Sequence, residues 1–158
     1  MALSIDTPEV ARTLSQVGFE AVSAKGFMEN PLVYRKQSAG RWIIEANQGI
    51  PEDDLYVSLG LTFGEPPGEF VGPVHRVRTL HALRLSIPVI VSFLDSLASQ
   101  EYQLKCPECD SWVYSIEGKK GPFLACPSVK STKSWDGMKY KDRQRCSKRV
   151  PLKPLYIY

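Results

Sequence analysis

The four cysteines of this 158-residue chain constrain its fold more than any other feature of the sequence. They are Cys106, Cys109, Cys126 and Cys146, with the spacing C-x2-C-x16-C-x19-C, and the first pair forms a Cys-Pro-Glu-Cys knuckle. A knuckle followed by two further cysteines is the ligand set of a structural zinc ribbon, in which four thiolates close a tetrahedron around Zn²⁺. We therefore predict one Zn²⁺ site made of these four residues, with no open position for a substrate.

The cellular compartment affects how these cysteines are interpreted. The N-terminal sequence has no basic region, no long apolar run and no cleavage site of the kind that a signal peptide carries. We therefore expect a cytoplasmic protein, because in a reducing compartment cysteines with this spacing hold metal more often than they form disulfides. Two disulfides, an iron–sulfur cluster and unligated cysteines are the alternatives. The most apolar stretch, residues 87–97, is shorter than a membrane span and contains Asp95, so we expect no membrane partner.

Charge is distributed unevenly along the chain. Residues 1–100 contain 8 Lys and Arg against 11 Asp and Glu, whereas residues 101–158 contain 12 against 6. A basic segment attached to a neutral-to-acidic body indicates a polyanionic partner. We predict two units, an α+β domain of unknown role at residues 1–100 and a zinc ribbon with a basic insertion at residues 101–158.

The first unit carries the signals of a small α+β domain. Thr7-Pro8-Glu9 is a helix start, with an N-cap hydroxyl, a proline at the first position and an acid in the first turn. The pattern of residues 32–46 predicts a hairpin. In residues 55–63 large apolar residues alternate with other residues, which predicts a strand with one buried face and one face that is exposed to solvent or covered by a thin layer. Ser86 is a candidate cap for a helix over residues 87–98. The expected fold class is α+β, a small antiparallel sheet with flanking helices.

The second unit is predicted to contain a hairpin that assembles the metal site. Residues 111–117 form its first strand, residues 118–121 a tight turn, and residues 123–125 the return strand, which ends at Cys126 beside the knuckle. The end of the chain, residues 152–158, is apolar enough to add a strand or to pack against the first unit.

This C-terminal unit resembles the four-cysteine zinc ribbons at the C-terminus of bacterial type IA DNA topoisomerases. The similarity is carried by Cys106-Pro-Glu-Cys109, the basic hairpin and the return Gly121-Pro-Phe-Leu-Ala-Cys126, and it covers about residues 105–150. The resemblance implies that the four cysteines are ligands and that the ribbon binds single-stranded DNA or contacts a polymerase. The 19 residues between Cys126 and Cys146 exceed the few that the family has there, and no topoisomerase catalytic region fits in the rest of the chain.

The long insertion and its flanks interleave cations with aromatic rings. Single-stranded nucleic acid binds such a segment because bases stack on flat rings while Lys and Arg neutralise phosphates. A solvated basic loop is the alternative, and Trp112 and Phe123 on the hairpin are expected in the ribbon's small core rather than on a binding face. We predict a nucleic-acid-binding set, with single-stranded DNA preferred and RNA as a second possibility, made of Lys130, Lys133, Trp135, Lys139, Tyr140, Lys141, Arg143, Arg145, Lys148 and Arg149.

An adaptor subunit and an enzyme are the two alternatives to a nucleic-acid-binding protein. The protein could be an accessory or adaptor subunit whose ribbon docks onto a larger DNA- or RNA-processing complex. An enzyme is disfavoured because a four-cysteine zinc site is closed, and His75 and His81 do not fit the His-x-Glu pattern of a zinc deaminase. The sequence contains no phosphate-binding loop, dinucleotide fingerprint or nucleophile elbow. We therefore expect a protein without catalytic activity.

Overall fold

A computed structural model describes residues 3–23, 32–49, 55–126, 129–131, 143–145 and 150–158, and its fold class is α+β, as predicted. The described helices are α1 (Pro8–Gln16), α2 (Leu80–Ser99) and the short 3₁₀ turn η1 (Glu101–Leu104). The described strands are β1 (Glu20–Ser23), β2 (Leu32–Gln37), β3 (Ile43–Gly49), β4 (Tyr56–Thr62), β5 (Val71–Val77), β6 (Tyr114–Gly118), β7 (Gly121–Ala125), β8 (Val129–Ser131), β9 (Arg143–Arg145) and β10 (Leu155–Ile157). Six of them form one sheet in the order β1-β2-β3-β4-β5-β10, and β6-β7 and β8-β9 form two separate two-stranded sheets.

Helix α1 begins where the sequence predicts. Thr7 is its N-cap and Pro8 its first residue, although the Thr7 hydroxyl donates to the Ser4 carbonyl at 3.0 Å rather than capping the helix. Val10 and Leu14 are fully buried on one face. Gly18, with φ +98°, follows the helix and allows the left-handed turn that a side chain with a Cβ resists. The amphipathic pattern therefore places α1 against the core.

The predicted hairpin is confirmed as β2 and β3, and β4 extends it into a sheet. Val57, Leu59 and Leu61 on one face of β4 are fully buried in the same core as the two helices. The opposite face is also covered. A Cβ added to Gly60 would lie 2.7 Å from the ring of Phe70, so this ring packs directly on the backbone of β4. The loop that carries Phe70 therefore provides the thin cover that was one of the two possibilities for this face of β4.

Helix α2 begins earlier than the sequence predicts. Its N-cap is Thr79, whose hydroxyl accepts from the Ala82 amide at 3.1 Å, so the helix starts at Leu80 and not after Ser86. Ser86 instead donates its hydroxyl to the Ala82 carbonyl inside the helix. Pro88 therefore lies in the helix interior, where it removes one backbone hydrogen bond. Burial of residues such as Leu83, Ile90 and Leu94 against the sheet offsets this loss.

The 20 residues of α2 extend beyond residues 87–97, the apolar stretch on which the expectation of no membrane partner was based. In the described part of the chain, α2 is the one helix long and apolar enough to cross a bilayer by length and composition. The core helix of a soluble protein passes the same test, and 39% of the relevant span is buried inside the protein.

The end of the chain joins the central sheet. Strand β10 pairs in parallel with β5, with Leu155 opposite Val74 and Ile157 opposite Arg76. The predicted second unit therefore contributes an edge strand to the sheet of the first. Tyr156 and Tyr158 reach the ring of His75 on β5, with centroid distances of 4.6 and 5.7 Å.

Candidate metal centre

The knuckle is a closed loop held by backbone hydrogen bonds. The Cys106 amide donates to the Ser111 carbonyl at 2.8 Å, and the Asp110 amide donates to the Cys106 carbonyl at 2.9 Å. Asp110 has φ +54°, a left-handed conformation that Asp adopts more readily than most residues. An isolated bridge between Lys105 and Trp112 closes the base of the loop. These contacts fix the backbone that carries Cys106 and Cys109.

The predicted hairpin brings the third cysteine to the knuckle. Strand β6 pairs with β7 from Tyr114 opposite Ala125 to Gly118 opposite Gly121. Cys126 immediately follows Ala125, and it therefore lies at the end of the hairpin where the knuckle is located. The predicted order of strand, tight turn and return strand is confirmed, with β6 beginning at Tyr114 rather than at residue 111.

The three described cysteines form one cluster. The Sγ atoms of Cys106, Cys109 and Cys126 all lie within 4.8 Å of one another. Tetrahedral thiolates at a metal–sulfur distance of 2.3 Å lie about 3.8 Å apart, so a small adjustment brings these sulfurs onto one ion. None of these three cysteines forms a disulfide within the described residues. The cluster can hold a metal ion.

The cluster is built into a small apolar core. Cys106 and Cys126 are each 2% exposed and pack with fully buried Val113, while Cys109 is half-buried and Val150 packs against the group. Thiolates that bind a metal can be buried in such a core, because the cation neutralises their charge. The donor set and its burial therefore fit a soft divalent metal. Cys146, the predicted fourth ligand, lies outside the described residues.

Backbone hydrogen bonds join the knuckle to the central sheet. The Gly72 amide on β5 donates to the Val113 carbonyl at 2.9 Å, and the Val113 amide donates to the Leu104 carbonyl at 2.9 Å. Gly72 has φ +78°, and a Cβ there would lie 2.6 Å from Cδ2 of fully buried Leu104. The glycine is thus required both by its backbone conformation and by the close approach of η1. The cysteine cluster and the sheet are adjoining parts of one structure.

An aromatic cluster reinforces this junction. The ring of Trp112 meets Trp42 edge-on at a centroid distance of 5.0 Å and lies 5.7 Å from Phe63. Arg41 and Lys105 lie over the Trp112 ring at 5.6 and 4.8 Å. Trp112 was expected in the ribbon's own core, but it packs instead against the core of the sheet. Its faces are therefore engaged by the protein itself.

The Glu101 carboxylate adds polar contacts to this junction between the knuckle and the sheet. The Glu101 carboxylate accepts from Nε1 of Trp42 at 2.9 Å and pairs with Arg41 at 3.2 Å. The sequence gives no signal for this contact, because residues 41 and 101 are brought together only by the fold. Tyr114, on the same side, has its pKa raised by burial and, to a smaller extent, by the nearby Glu69 carboxylate.

Most of the predicted nucleic-acid-binding residues fall outside the described part of the chain. Lys130 lies on β8, and Arg143 and Arg145 lie on β9, which pairs with β8 in antiparallel orientation. Opposite Lys130 in this pair is residue 144. The predicted residues that lie outside the described ranges are Lys133, Trp135, Lys139, Tyr140, Lys141, Lys148 and Arg149.

The structure has a groove beside the knuckle that the sequence did not predict. This groove, with a volume of about 410 Å³, lies between η1 and the segment that leads to β10. Its walls include Tyr102, Lys105 and Pro107 on one side and residues 150–152 on the other. A 3₁₀ turn of four residues has no strong sequence signature, so the groove could not be predicted from local patterns.

The chain matches no family model, no curated protein and no solved structure. The resemblance to topoisomerase zinc ribbons therefore stays a prediction from the cysteine pattern. The geometry of the cysteine cluster and the charge of the segment around it are the observations on which function can be argued.

Proposed function

We propose that this protein is a cytoplasmic, non-catalytic, zinc-dependent nucleic-acid-binding protein that prefers single-stranded DNA. The observation that carries the proposal is a metal-competent cysteine cluster inside a segment with 12 basic against 6 acidic residues. A polyanion is attracted to such a segment, and single strands in particular offer bases that can stack on exposed rings.

Zinc is the metal that this donor set favours. Three thiolates within 4.8 Å of one another, with a fourth cysteine at position 146, supply the soft sulfur ligands of a tetrahedral structural site. Such a site contributes of order 10 kcal/mol to folding in small modules. Cys106, Cys109, Cys126 and Cys146 would hold the ion, which would fix the knuckle and the hairpin in one arrangement. The topoisomerase-like ribbon is the relationship that this ligand set suggests.

The basic insertion would capture the strand. Lys139, Lys141, Arg143 and Arg145 would neutralise phosphates and release counterions, and Trp135 and Tyr140 would stack on bases. In this proposal the metal centre has a structural role and no catalytic one. It holds the two ends of the insertion, which follows Cys126 and precedes Cys146.

Fluorescence anisotropy of labelled single-stranded DNA, duplex DNA and RNA, titrated across a salt series, tests the proposal. We expect single strands to bind most tightly, with an affinity that falls steeply as salt rises. The double variant Lys139→Ala/Lys141→Ala should weaken binding and reduce the salt slope by about 2. The matched control is Lys119→Ala/Lys120→Ala, which removes the same charge from exposed positions at the turn of the β6-β7 hairpin and should have a smaller effect. No binding at low salt would refute the proposal.

The second candidate is an adaptor that docks onto a larger DNA- or RNA-processing complex. The observation that favours it is the junction of the knuckle with the sheet through Gly72 and the Trp112 cluster, since a rigid projection suits docking. An adaptor predicts little affinity for oligonucleotides and a dependence on apolar rather than basic side chains. The same titrations therefore separate the two candidates.

A further inference from the structure

The groove beside the knuckle has the composition of a binding site. Its volume of about 410 Å³ falls within the range of roughly 300–1,000 Å³ that is usual for ligand sites. Pro107, Val150, Pro151 and Leu152 supply apolar walls, and the polar groups are few. Concave apolar surface with a small number of polar groups is the usual form of a site for a planar, partly polar ligand.

The 3₁₀ turn η1 carries an aromatic side chain that lines the groove. The Lys105 amide donates to the Tyr102 carbonyl, an i to i+3 bond. Lys105 itself follows the turn in an extended conformation, and its ammonium lies 4.8 Å from the centroid of the Trp112 ring and 3.6 Å from the Asp110 carboxylate. Tyr102 is 72% exposed, whereas Leu104 of the same turn is fully buried. An exposed ring is thus built onto a turn whose other side is anchored in the core.

The walls of the groove are held from both sides. Val150 packs against the cysteine cluster, and Leu152 packs against the core of the sheet. The shape of the groove therefore depends on the metal centre and on the docking of β10. A site supported in this way is already formed before a ligand arrives, which reduces the entropy lost on binding.

We propose that this groove holds one unpaired base of a single-stranded nucleic acid, stacked on the exposed ring of Tyr102. The occupant is argued from charge, because residues 101–158 carry 12 basic against 6 acidic residues and attract a polyanion. Stacking of bases on aromatic rings is how sequence-tolerant single-strand sites work. This inference rests on the proposed function and extends its binding surface from the insertion to the described part of the chain.

The test compares the wild-type protein with Tyr102→Ala and Tyr102→Phe, using anisotropy at fixed salt. The probes are a single-stranded oligothymidine, a strand of the same length with abasic positions, and a duplex. Tyr102→Ala should weaken binding of the single strand about tenfold, whereas Tyr102→Phe keeps the ring and should bind as the wild type does. Neither variant should change the salt slope or the binding of the abasic strand and the duplex.

The outcomes separate this inference from the proposed function. If the wild type and Tyr102→Ala bind the oligothymidine equally, the groove is not a base site, although the protein still binds nucleic acid. If the wild type binds no probe, both proposals are overturned. An equal loss on the abasic strand would also overturn the inference, because a base would not be what Tyr102 contacts. Unchanged thermal stability of Tyr102→Ala, expected for an exposed side chain, confirms that the variant is folded.

Discussion

Acidification should destabilise this protein through His75. The His75 side chain on β5 is 1% exposed and stacks on Tyr156 at 4.6 Å with an interplanar angle of 11°. Its Nδ1 lies 3.1 Å from the Tyr158 hydroxyl, and Phe93 of α2 meets the ring edge-on at 5.4 Å. Burial in these surroundings lowers the pKa of His75 from 6.5 to about 4, because the charged imidazolium loses its hydration.

The sign and size of the effect follow from the two pKa values. Between pH 6.5 and about 4 the unfolded chain binds a proton that the folded protein does not, so the free energy of unfolding falls as the pH is lowered. At 1.36 kcal/mol per pKa unit, the free energy of unfolding falls by about 2 kcal/mol between pH 7 and pH 5. The total loss levels off at about 3 kcal/mol below pH 4. The full stabilisation is present at pH 7.

Urea denaturation of wild type and His75→Phe at pH 7, 6 and 5 measures this contribution. Acid also protonates metal-binding thiolates and weakens metal binding, but this loss is common to both proteins. The phenylalanine keeps an aromatic ring in the stack and removes the titrating group. We expect the wild type to lose about 2 kcal/mol more than the variant between pH 7 and pH 5. Equal losses in the two proteins would refute the assignment of a buried, neutral His75.

Three further substitutions, one of them with a matched control, test other parts of the structure. Gly72→Ala should cost about 2–5 kcal/mol of unfolding free energy by urea denaturation, because strain at φ +78° adds to a clash with buried Leu104. Gly40→Ala, at φ +58° with nothing within 4 Å, should cost only about 1–2 kcal/mol, and equal losses would contradict the clash. Glu45→Ala should cost about 3–5 kcal/mol, because fully buried Glu45 pairs with Arg35 at 2.9 Å. A change in melting temperature below one degree would contradict that pairing. Cys109→Ser should lower bound metal, measured by elemental analysis, to well below one equivalent, and retention of a full equivalent would exclude this residue as a ligand.

Local patterns predicted the local elements of this chain. The proline and acid after Thr7 set the start of α1, and alternation set the buried face of β4. The Cys-Pro-Glu-Cys knuckle and the following turn placed three sulfurs within 4.8 Å of one another. Each of these features depends on residues close together in sequence, where turn chemistry and periodicity carry the information.

Contacts between distant residues could not be predicted in the same way. The parallel pairing of β10 with β5 joins residues about eighty positions apart, and a three-residue strand has little pattern of its own. The packing of Trp112 on Trp42 likewise depends on how η1 and the knuckle meet the sheet. The start of α2 was misplaced because Thr79 and Ser86 are both acceptable caps, and tertiary burial of Leu83 decides between them.

We propose that the four cysteines form one closed zinc centre. Zinc K-edge X-ray absorption on the 158-residue protein, with metal content measured on the same sample, identifies the metal and its ligand atoms. We expect one equivalent of zinc and a first shell of four sulfur atoms at about 2.3 Å. A shell containing oxygen or nitrogen, iron in place of zinc, or protein that folds without any metal would contradict the account.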